Sequence, residues 1–434
     1  MMGILFYGFI GILTIGAACL VKTEYALDGG CGDGRCLPAR RCLPARRCLP
    51  ARRCFPARRC FLDRRRFLNR TALLFLFTVL TALAALRIDV GNDYGNYVNT
   101  FHEIYVGGYV VTEPGFNLLV RFLYTLSGGE NYLLVFGVFA AATTFLFLKA
   151  MYDQSLNFSL SFALFMLLGL YFRTFNTVRY YFVLAVTLYS LRYVLKREYG
   201  KFVFLILGAA LFHKSVLVVI PLYLIALLPW KKWQVAIGAV LAVSLPLFQD
   251  FWMAVLLKLY PSYQNTVYLE QGTGLEGSLM GIVRCAAILL LGLSGWKAVK
   301  ENEANLFYFK LNLLGLALYT CASFVPLVSR LGYYLITPHL LLVPGILYAM
   351  KKEEKGKKTP EKQDAGQPAS SAGGRRIRFR RPGRRVILYG AVLLFSILYF
   401  GIFLLTAHQV GVRVLPYHTW VFTEREWLNG SYIF

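Results

Sequence analysis

The stretch "RTALLFLFTVLTALAAL" (residues 70–86) decides the fold class, because an apolar run of this length suits a helix that crosses a bilayer. It is followed at once by the polar stretch "RIDVGNDYGNY" (residues 87–97). Similar apolar runs recur along the 434 residues, of which 57% are hydrophobic, with a mean hydropathy of +0.53. The runs are continuous rather than alternating, which favours helices over a barrel. The sequence therefore predicts an all-α membrane protein.

Counting the apolar runs predicts a polytopic transmembrane bundle of about 11–12 helices, with an external loop after the second helix. Residues 202–229 are basic at both flanks, so both ends favour the cytoplasm. We therefore expect two short helices or a re-entrant hairpin there, with its tip at "FHKS" (residues 212–215). The predicted spans are 3–21, 70–86, 132–149, 157–172, 177–195, 202–213 with 215–229, 234–257, 281–297, 306–325, 332–349 and 386–406.

The formal net charge of +25 comes mainly from two segments. Residues 22–70 contain fourteen Lys or Arg against four Asp or Glu, and residues 351–385 contain thirteen against four. Basic loops of this kind are the usual signal for retention in the cytoplasm. We therefore interpret the charge as membrane topology and expect membrane lipid, and no nucleic acid, among the partners.

The first basic segment contains a six-residue tandem repeat with cysteines at C-x5-C spacing: Cys36, Cys42, Cys48, Cys54 and Cys60. Zinc sites use C-x2-C spacing, so we interpret the repeat as a low-complexity linker and predict no metal site. The predicted organisation is a first transmembrane helix (1–21), a basic Cys-Arg repeat cytoplasmic linker (22–69), a transmembrane core (70–350), a disordered basic cytoplasmic linker (351–385) and a last transmembrane helix with an external tail (386–434).

Four arginines are predicted at the outer ends of different helices: Arg173, Arg179, Arg284 and Arg330. The positive-inside rule disfavours arginine there, so each requires another reason. Guanidinium groups bind phosphate oxygens well, and a lipid diphosphate is an anion available at a bilayer surface. We expect these residues to bind such a diphosphate, the alternative being that each extends to the interface or pairs with an aspartate.

His213 lies at the predicted hairpin tip. Histidine is the side chain best suited to proton transfer near neutral pH, so His213 is the candidate catalytic base for a sugar hydroxyl. The alternative is a polar helix break without a catalytic role.

A polar set in and after the opening stretch is the candidate sugar or acceptor site: Arg87, Asp89, Asp93, Tyr94, Tyr97 and Glu113. The two aspartates could instead bind a divalent cation or pair with arginine, and tyrosines also populate membrane interfaces. The sequence contains no P-loop, GxSxG, HExxH or Rossmann motif. We therefore expect no cofactor, and chemistry at the membrane.

Taken in order, four stretches resemble motifs of the EpsG family, the Wzy-type membrane proteins of bacterial polysaccharide production. The family elements are R-x-x-x-G-x-D-x-x-x-Y, E-P-x-F, N-x-x-R-Q-x-x-A and A-x-x-F-H-x-S. Tyr180 departs from the pattern, because the family usually has Gln there. The later "SRLGYYL" (329–335) and "LPY" (415–417) fit more loosely. The four stretches are "RIDVGNDYGNYVNTF" (87–101), "TEPGFNLL" (112–119), "NTVRYYFVLAV" (176–186) and "LGAALFHKSVLVVIPLYLI" (207–225).

The resemblance, over roughly residues 70–420, implies a GT-C-like fold and a metal-independent, inverting lipid-linked glycosyltransferase. It implies a polymerase that joins undecaprenyl-diphosphate-linked oligosaccharides on the outer face of the bacterial cytoplasmic membrane, alongside other polysaccharide-assembly proteins. Two alternatives stay open. One is a transporter of lipid-linked sugar or polysaccharide, and the other is a membrane acyltransferase with His213 as its base.

Overall fold

The computed structural model describes residues 2–22, 55–259, 275–325, 328–356, 383–408 and 412–421. Most of the predicted Cys-Arg linker and of the linker 351–385, and the end of the predicted tail, lie outside the described residues. The chain divides into two compact units. Met1–Leu228 and Ile402–Phe434 form the first unit, and Pro229–Gly401 form the second.

The first unit is built from helices joined mostly by short turns. Its helices are α1 (Met2–Ala18), α2 (Phe55–Ala85), α3 (Tyr94–Val106), α4 (Pro114–Ser127), α5 (Tyr132–Gln154), α6 (Phe158–Leu167), α7 (Leu170–Arg173), α8 (Val178–Leu195), α9 (Tyr199–Ala210) and α10 (Val219–Leu227). A 3-10 turn, Lys214–Val218, connects α9 and α10.

The second unit is also helical. Its helices are α11 (Lys232–Leu247), α12 (Gln249–Leu259), α13 (Leu275–Ser294), α14 (Trp296–Lys300), α15 (Glu303–Cys321), α16 (Val328–Ile336) and α17 (His339–Gly356). Helix α18 (Arg384–Thr406) begins in the second unit and ends in the first. Within the described ranges, β-structure is limited to an isolated antiparallel bridge between Arg87 and Thr419. The all-α class is thus confirmed.

Among the described residues, four helical segments are long and apolar enough to cross a membrane, or five if a bent pair is counted as one span. The predicted number of 11–12 crossings is therefore larger than the number that meets this criterion. Several predicted spans are helices of 10–17 residues, which are shorter than a full crossing. The four segments are Arg64–Ala85, Tyr132–Gln154, Val328–Lys352 and Arg384–Thr406.

In two predicted spans the helix is interrupted. Within 157–172, α6 ends before Gly169, whose φ of +68° is a left-handed conformation that glycine adopts without steric cost. Within 234–257, α11 and α12 meet at an angle of 95°, so this predicted span is bent. Apolar composition continues across the first break, whereas Pro246, Gln249 and Asp250 mark the second break in the sequence.

The predicted hairpin at 202–229 is confirmed. Helix α9 ends at Ala210, the chain turns through Leu211–His213, and α10 returns. The rings of Phe202 and Tyr223 stack with centroids 6.1 Å apart, which joins the start of α9 to the middle of α10. His213 therefore lies at the tip of two short helices, as the basic flanks predicted.

The predicted external loop 87–131 contains two helices, α3 and α4. Its first residues pair with the chain after α18. The Ile88 amide donates to the His418 carbonyl at 3.0 Å, and the Gly91 amide donates to the Arg413 carbonyl at 2.7 Å. Two segments predicted to share one side of the membrane are thus in contact within the first unit.

Candidate functional site

The R-x-x-x-G-x-D-x-x-x-Y element begins with Arg87, which is buried and donates hydrogen bonds to backbone carbonyls. Arg87 is 1% exposed, and its guanidinium donates to the carbonyls of Ala84, Val90 (3.3 Å) and Phe175 (3.1 Å). Its Cζ lies 4.8 Å from the centroid of the Phe136 ring. Burial lowers the pKa of Arg87 to about 10, which leaves it charged at neutral pH. This geometry gives Arg87 a structural role, and its predicted contact with sugar gains no support from it.

The next residues of the same element contact the segment that leads into α8. Gly91 has a φ of +98°, and a Cβ there would lie 2.5 Å from the Phe175 carbonyl oxygen. The Asp93 amide donates to Asn176 Oδ1 at 2.9 Å, and the Thr177 hydroxyl donates to Asp93 Oδ2 at 2.9 Å.

Tyr97 completes the element. Its hydroxyl accepts from the Arg179 amide at 3.3 Å. The spacing of this motif therefore matches four successive contacts with residues 175–179, and it sets the position of Arg179 at the start of α8.

Glu113 and Arg179 form the centre of the candidate site. Arg179 Nη1 lies 2.5 Å from Glu113 Oε2, and the two side chains are 19% and 14% exposed. Glu113 immediately precedes α4, and Pro114 occupies the first turn of that helix, where a missing amide costs nothing. The Arg179 guanidinium also lies over the Phe116 ring, at 4.8 Å from its centroid. The E-P-x-F element thus supplies both a carboxylate and an aromatic face to one arginine.

His213 joins this pair from the hairpin tip. Its Nδ1 lies 3.4 Å from Glu113 Oε1, and the Lys214 amide donates to the same oxygen at 3.1 Å. The Tyr180 ring, in the position where the family pattern has Gln, contacts the His213 ring edge-on with centroids 5.7 Å apart. His213 Nε2 is closed to solvent and has no hydrogen-bond partner among the described residues. An arginine, a carboxylate and a histidine from three sequence motifs therefore meet in one place.

The charge state of Glu113 follows from its neighbours. Burial alone would raise the pKa of its carboxyl. The His213 ring, the Lys214 amide and the positive charge of Arg179 outweigh that effect and hold the pKa to about 2. A carboxylate with so low a pKa is a weak base at neutral pH. Glu113 is therefore suited to orient Arg179 and His213 rather than to accept a proton itself.

The lowered pKa of Glu113 predicts a specific pH dependence of stability. Its ionised form should contribute stability at every pH above the ordinary value of 4.5, and that contribution should disappear as the pH falls through about 2. We expect wild type to melt at a higher temperature than Glu113→Gln at pH 7, and the two melting curves to converge near pH 2. Thermal unfolding of both proteins across this range measures the difference. A gap that does not depend on pH would contradict the assignment.

The hairpin tip is fixed to α4 by a close backbone approach at Gly115. The amides of Gly115 and Phe116 donate to the Leu211 carbonyl at 3.0 and 3.3 Å. A Cβ on Gly115 would lie 2.7 Å from Leu211 Cβ and 2.9 Å from the Leu211 oxygen. Only glycine allows this approach, which brings His213 to Glu113.

Gly115→Ala should separate α4 from the hairpin. We expect a loss of stability of about 1–3 kcal/mol, as for other overpacked sites. We also expect the Glu113–His213 contact to open, with loss of whatever activity depends on it. The matched control is Gly95→Ala in α3, where no atom lies within 4 Å of the added Cβ. Equal melting temperatures for the two variants would contradict the close approach.

The remaining residues of the predicted sugar site lie in different surroundings. Asp89 pairs with Arg413, whereas Asp93 accepts from Thr177, so the two aspartates have different partners. Tyr94 is 2% exposed and stacks on Phe136 at 4.8 Å, and Tyr97 is 6% exposed. Both tyrosines belong to the aromatic core beneath the site rather than to an open sugar-stacking surface.

The four predicted diphosphate residues divide between the two units. Arg173 and Arg179 are in the first unit, and the Arg173 guanidinium lies over the Phe403 ring, at 5.3 Å from its centroid. Arg284 and Arg330 are in the second unit. Arg284 was predicted to open its helix, but it lies near the middle of α13. Asn176, Thr177 and Arg413 are partners that the sequence did not predict, although the first two lie inside a quoted motif.

The residues that the structure describes contain no group of three or more His, Cys, Asp or Glu side chains placed to hold a metal ion. The polar centre of the first unit instead combines one guanidinium, one carboxylate and one imidazole. Such a set can bind an anion and transfer a proton.

The helices and this polar centre together define a polytopic α-helical membrane protein. The EpsG family model matches residues 70–359, a range that contains all four sequence motifs. The chain therefore belongs to the EpsG family, a family of membrane proteins related to exopolysaccharide biosynthesis. Searches of curated proteins and of solved structures found no match.

Proposed function

We propose that this protein is a polysaccharide polymerase that joins oligosaccharide units carried on undecaprenyl diphosphate. The observation that carries the proposal is the convergence of three motifs at Arg179, Glu113 and His213. The three side chains are between 14% and 19% exposed, so part of the group is open to solvent. Family membership supplies the connection to exopolysaccharide biosynthesis.

The proposed reaction is a single displacement at a sugar carbon. A hydroxyl of the acceptor glycan gives its proton to His213 Nε2, and its oxygen forms a bond to the anomeric carbon of the donor. The bond from that carbon to the diphosphate oxygen breaks, and its electron pair leaves with the lipid diphosphate. Attack from the opposite face inverts the sugar configuration.

Each residue has a separate role in this proposal. Glu113 holds the imidazole by its Nδ1 side, which leaves Nε2 to accept the proton. Arg179 stabilises the negative charge that develops on the leaving diphosphate, as positive groups do at other developing oxyanions. Arg173, at the end of α7, is a second cation for the same diphosphate. Arg284 and Arg330 stay predictions as diphosphate contacts.

Because His213 Nε2 is closed to solvent, the acceptor must displace the side chains that cover it before reaction. This burial also keeps water away from the base, which favours transfer to glycan over hydrolysis. We propose that the site faces the outer side of the bacterial cytoplasmic membrane, where the substrate is presented.

The test uses the purified full-length protein in lipid nanodiscs with undecaprenyl-diphosphate-linked repeat units. We expect longer lipid-linked glycans on gels and an equal release of lipid diphosphate. Absence of both products would overturn the polymerase. Movement of the unextended lipid-linked sugar across a vesicle bilayer would favour the transporter, and acylated glycan would favour the acyltransferase.

A further inference from the structure

The second unit buries an arginine that lacks the partners such a group normally has. Arg284 in α13 is 1% exposed, and its Nη2 donates to the Ile336 carbonyl at 3.3 Å. Its Nε and Nη1 have no hydrogen-bond partner among the described residues. A buried cation without a partner is costly, because it has lost its hydration and nothing replaces it.

Two other arginines, one buried and one half-buried, show which partners compensate such a charge in this chain. Arg87, equally buried, donates to three backbone carbonyls. Arg192 lies 3.0 Å from Asp153. In the part of the second unit that the structure describes, no carboxylate pairs with Arg284.

Two more unsatisfied polar side chains surround the same junction of helices. His339, the first residue of α17, is 0% exposed, and both of its ring nitrogens lack a partner among the described residues. Asn312 in α15 is 0% exposed and donates to the Cys285 carbonyl at 3.2 Å, while its Oδ1 has no partner there. Arg284 thus reaches the carbonyl three residues before His339, and Asn312 binds the carbonyl of the residue after Arg284.

These polar side chains lie at a depth along the helices where apolar residues are expected. Ile336 and His339 lie well inside the apolar span Val328–Lys352 rather than at its ends. Ionisable groups at such depth are rare, and they usually face a partner or a ligand. Five buried polar atoms without partners, on three helices, therefore indicate an occupant.

We propose that Arg284, His339 and Asn312 form an enclosed site for an oxyanion of the phosphate class. The guanidinium supplies the positive charge and several N–H donors. His339 adds one ring N–H, and Asn312 Oδ1 accepts from a P–OH of the protonated anion. A carboxylate satisfies the donors but leaves the Asn312 oxygen unmatched, so a phosphate group fits the set better.

This inference rests on the second unit alone. It assigns Arg284 to a phosphate group enclosed in that unit instead of to the predicted contact with the lipid diphosphate, and it does not require the proposed polymerase. A free phosphate ion and a lipid phosphomonoester, such as phosphatidic acid, both carry the required P–OH. The test therefore has two arms. In one, the full-length protein in maltoside detergent is titrated with inorganic phosphate at constant ionic strength, with chloride as reference. In the other, phosphatidic acid is added to the micelles.

We expect a rise in melting temperature and a saturable 31P NMR signal in one of the two arms, which identifies the source of the anion. Arg284→Met should weaken binding at least about tenfold, as loss of charge-assisted hydrogen bonds does elsewhere. The matched control is Lys297→Met, which removes an exposed cation of the same unit. Asn312→Leu provides a second variant if Arg284→Met does not fold, and it should also weaken phosphate binding.

Two results would overturn the proposal. One is absence of binding in both arms with wild type. The other is an Arg284→Met protein that folds and binds the probe as tightly as wild type does. Neither binding assay contains glycan. A negative result in these assays can therefore be distinguished from a failure of the first unit to elongate glycan.

Discussion

His213→Ala should reduce glycan elongation by about 10²–10⁴-fold, the usual contribution of a positioned general acid or base. The reason is that His213, at the hairpin tip, is the proposed proton acceptor, and its Nδ1 lies 3.4 Å from Glu113 Oε1. The rate is measured as lipid diphosphate released per protein under single-turnover conditions. Binding of the lipid-linked donor should persist, because Arg179 is unchanged.

The chain offers a matched control for this experiment. His102 also pairs with a glutamate, since its Nδ1 lies 3.1 Å from Glu130, but this pair is more exposed and belongs to none of the short motif positions. His102→Ala should leave elongation unchanged. If the two variants behave alike, or if His213→Ala retains the wild-type rate, His213 is not the base.

Arg87→Met should lower the free energy of unfolding by about 3 kcal/mol or more, because buried carbonyls would lose a charged donor. The side chain joins the end of α2 to Phe175, and through it to the segment that positions Arg179. We expect activity to fall in proportion to the loss of folded protein. Unfolding in detergent, followed by helical circular dichroism, measures the effect.

Arg413→Met is the matched control, since Arg413 pairs with Asp89 at a more exposed position. Exposed ion pairs contribute roughly 0–1 kcal/mol, so this variant should be close to wild type. Equal losses in the two variants would contradict a structural role for Arg87. An Arg87→Met protein with wild-type stability but weaker acceptor binding would restore its predicted contact with sugar.

The sequence motifs did not reveal which of their residues are in contact with one another. Glu113, Arg179 and His213 were assigned separately to sugar, diphosphate and proton transfer, and the fold places them in one contact group. Arg87 was placed at the sugar because it is charged and follows a span. Its burial depends on carbonyls up to 88 residues away, which no local pattern records.

What the sequence by itself determined is the all-α membrane class, the family and the hairpin with His213 at its tip. These follow from apolar run length, flanking charge and motif order, which are local properties of the chain. Only the tertiary structure decided where spans break, that Gly91 and Gly115 permit close backbone approaches, and that Arg284 lies buried inside its unit. The physical reason is that an apolar residue is stabilised in lipid whatever its neighbours are, so the apolar pattern can be read along the chain. The role of a polar group depends instead on partners that only folding brings within hydrogen-bond distance.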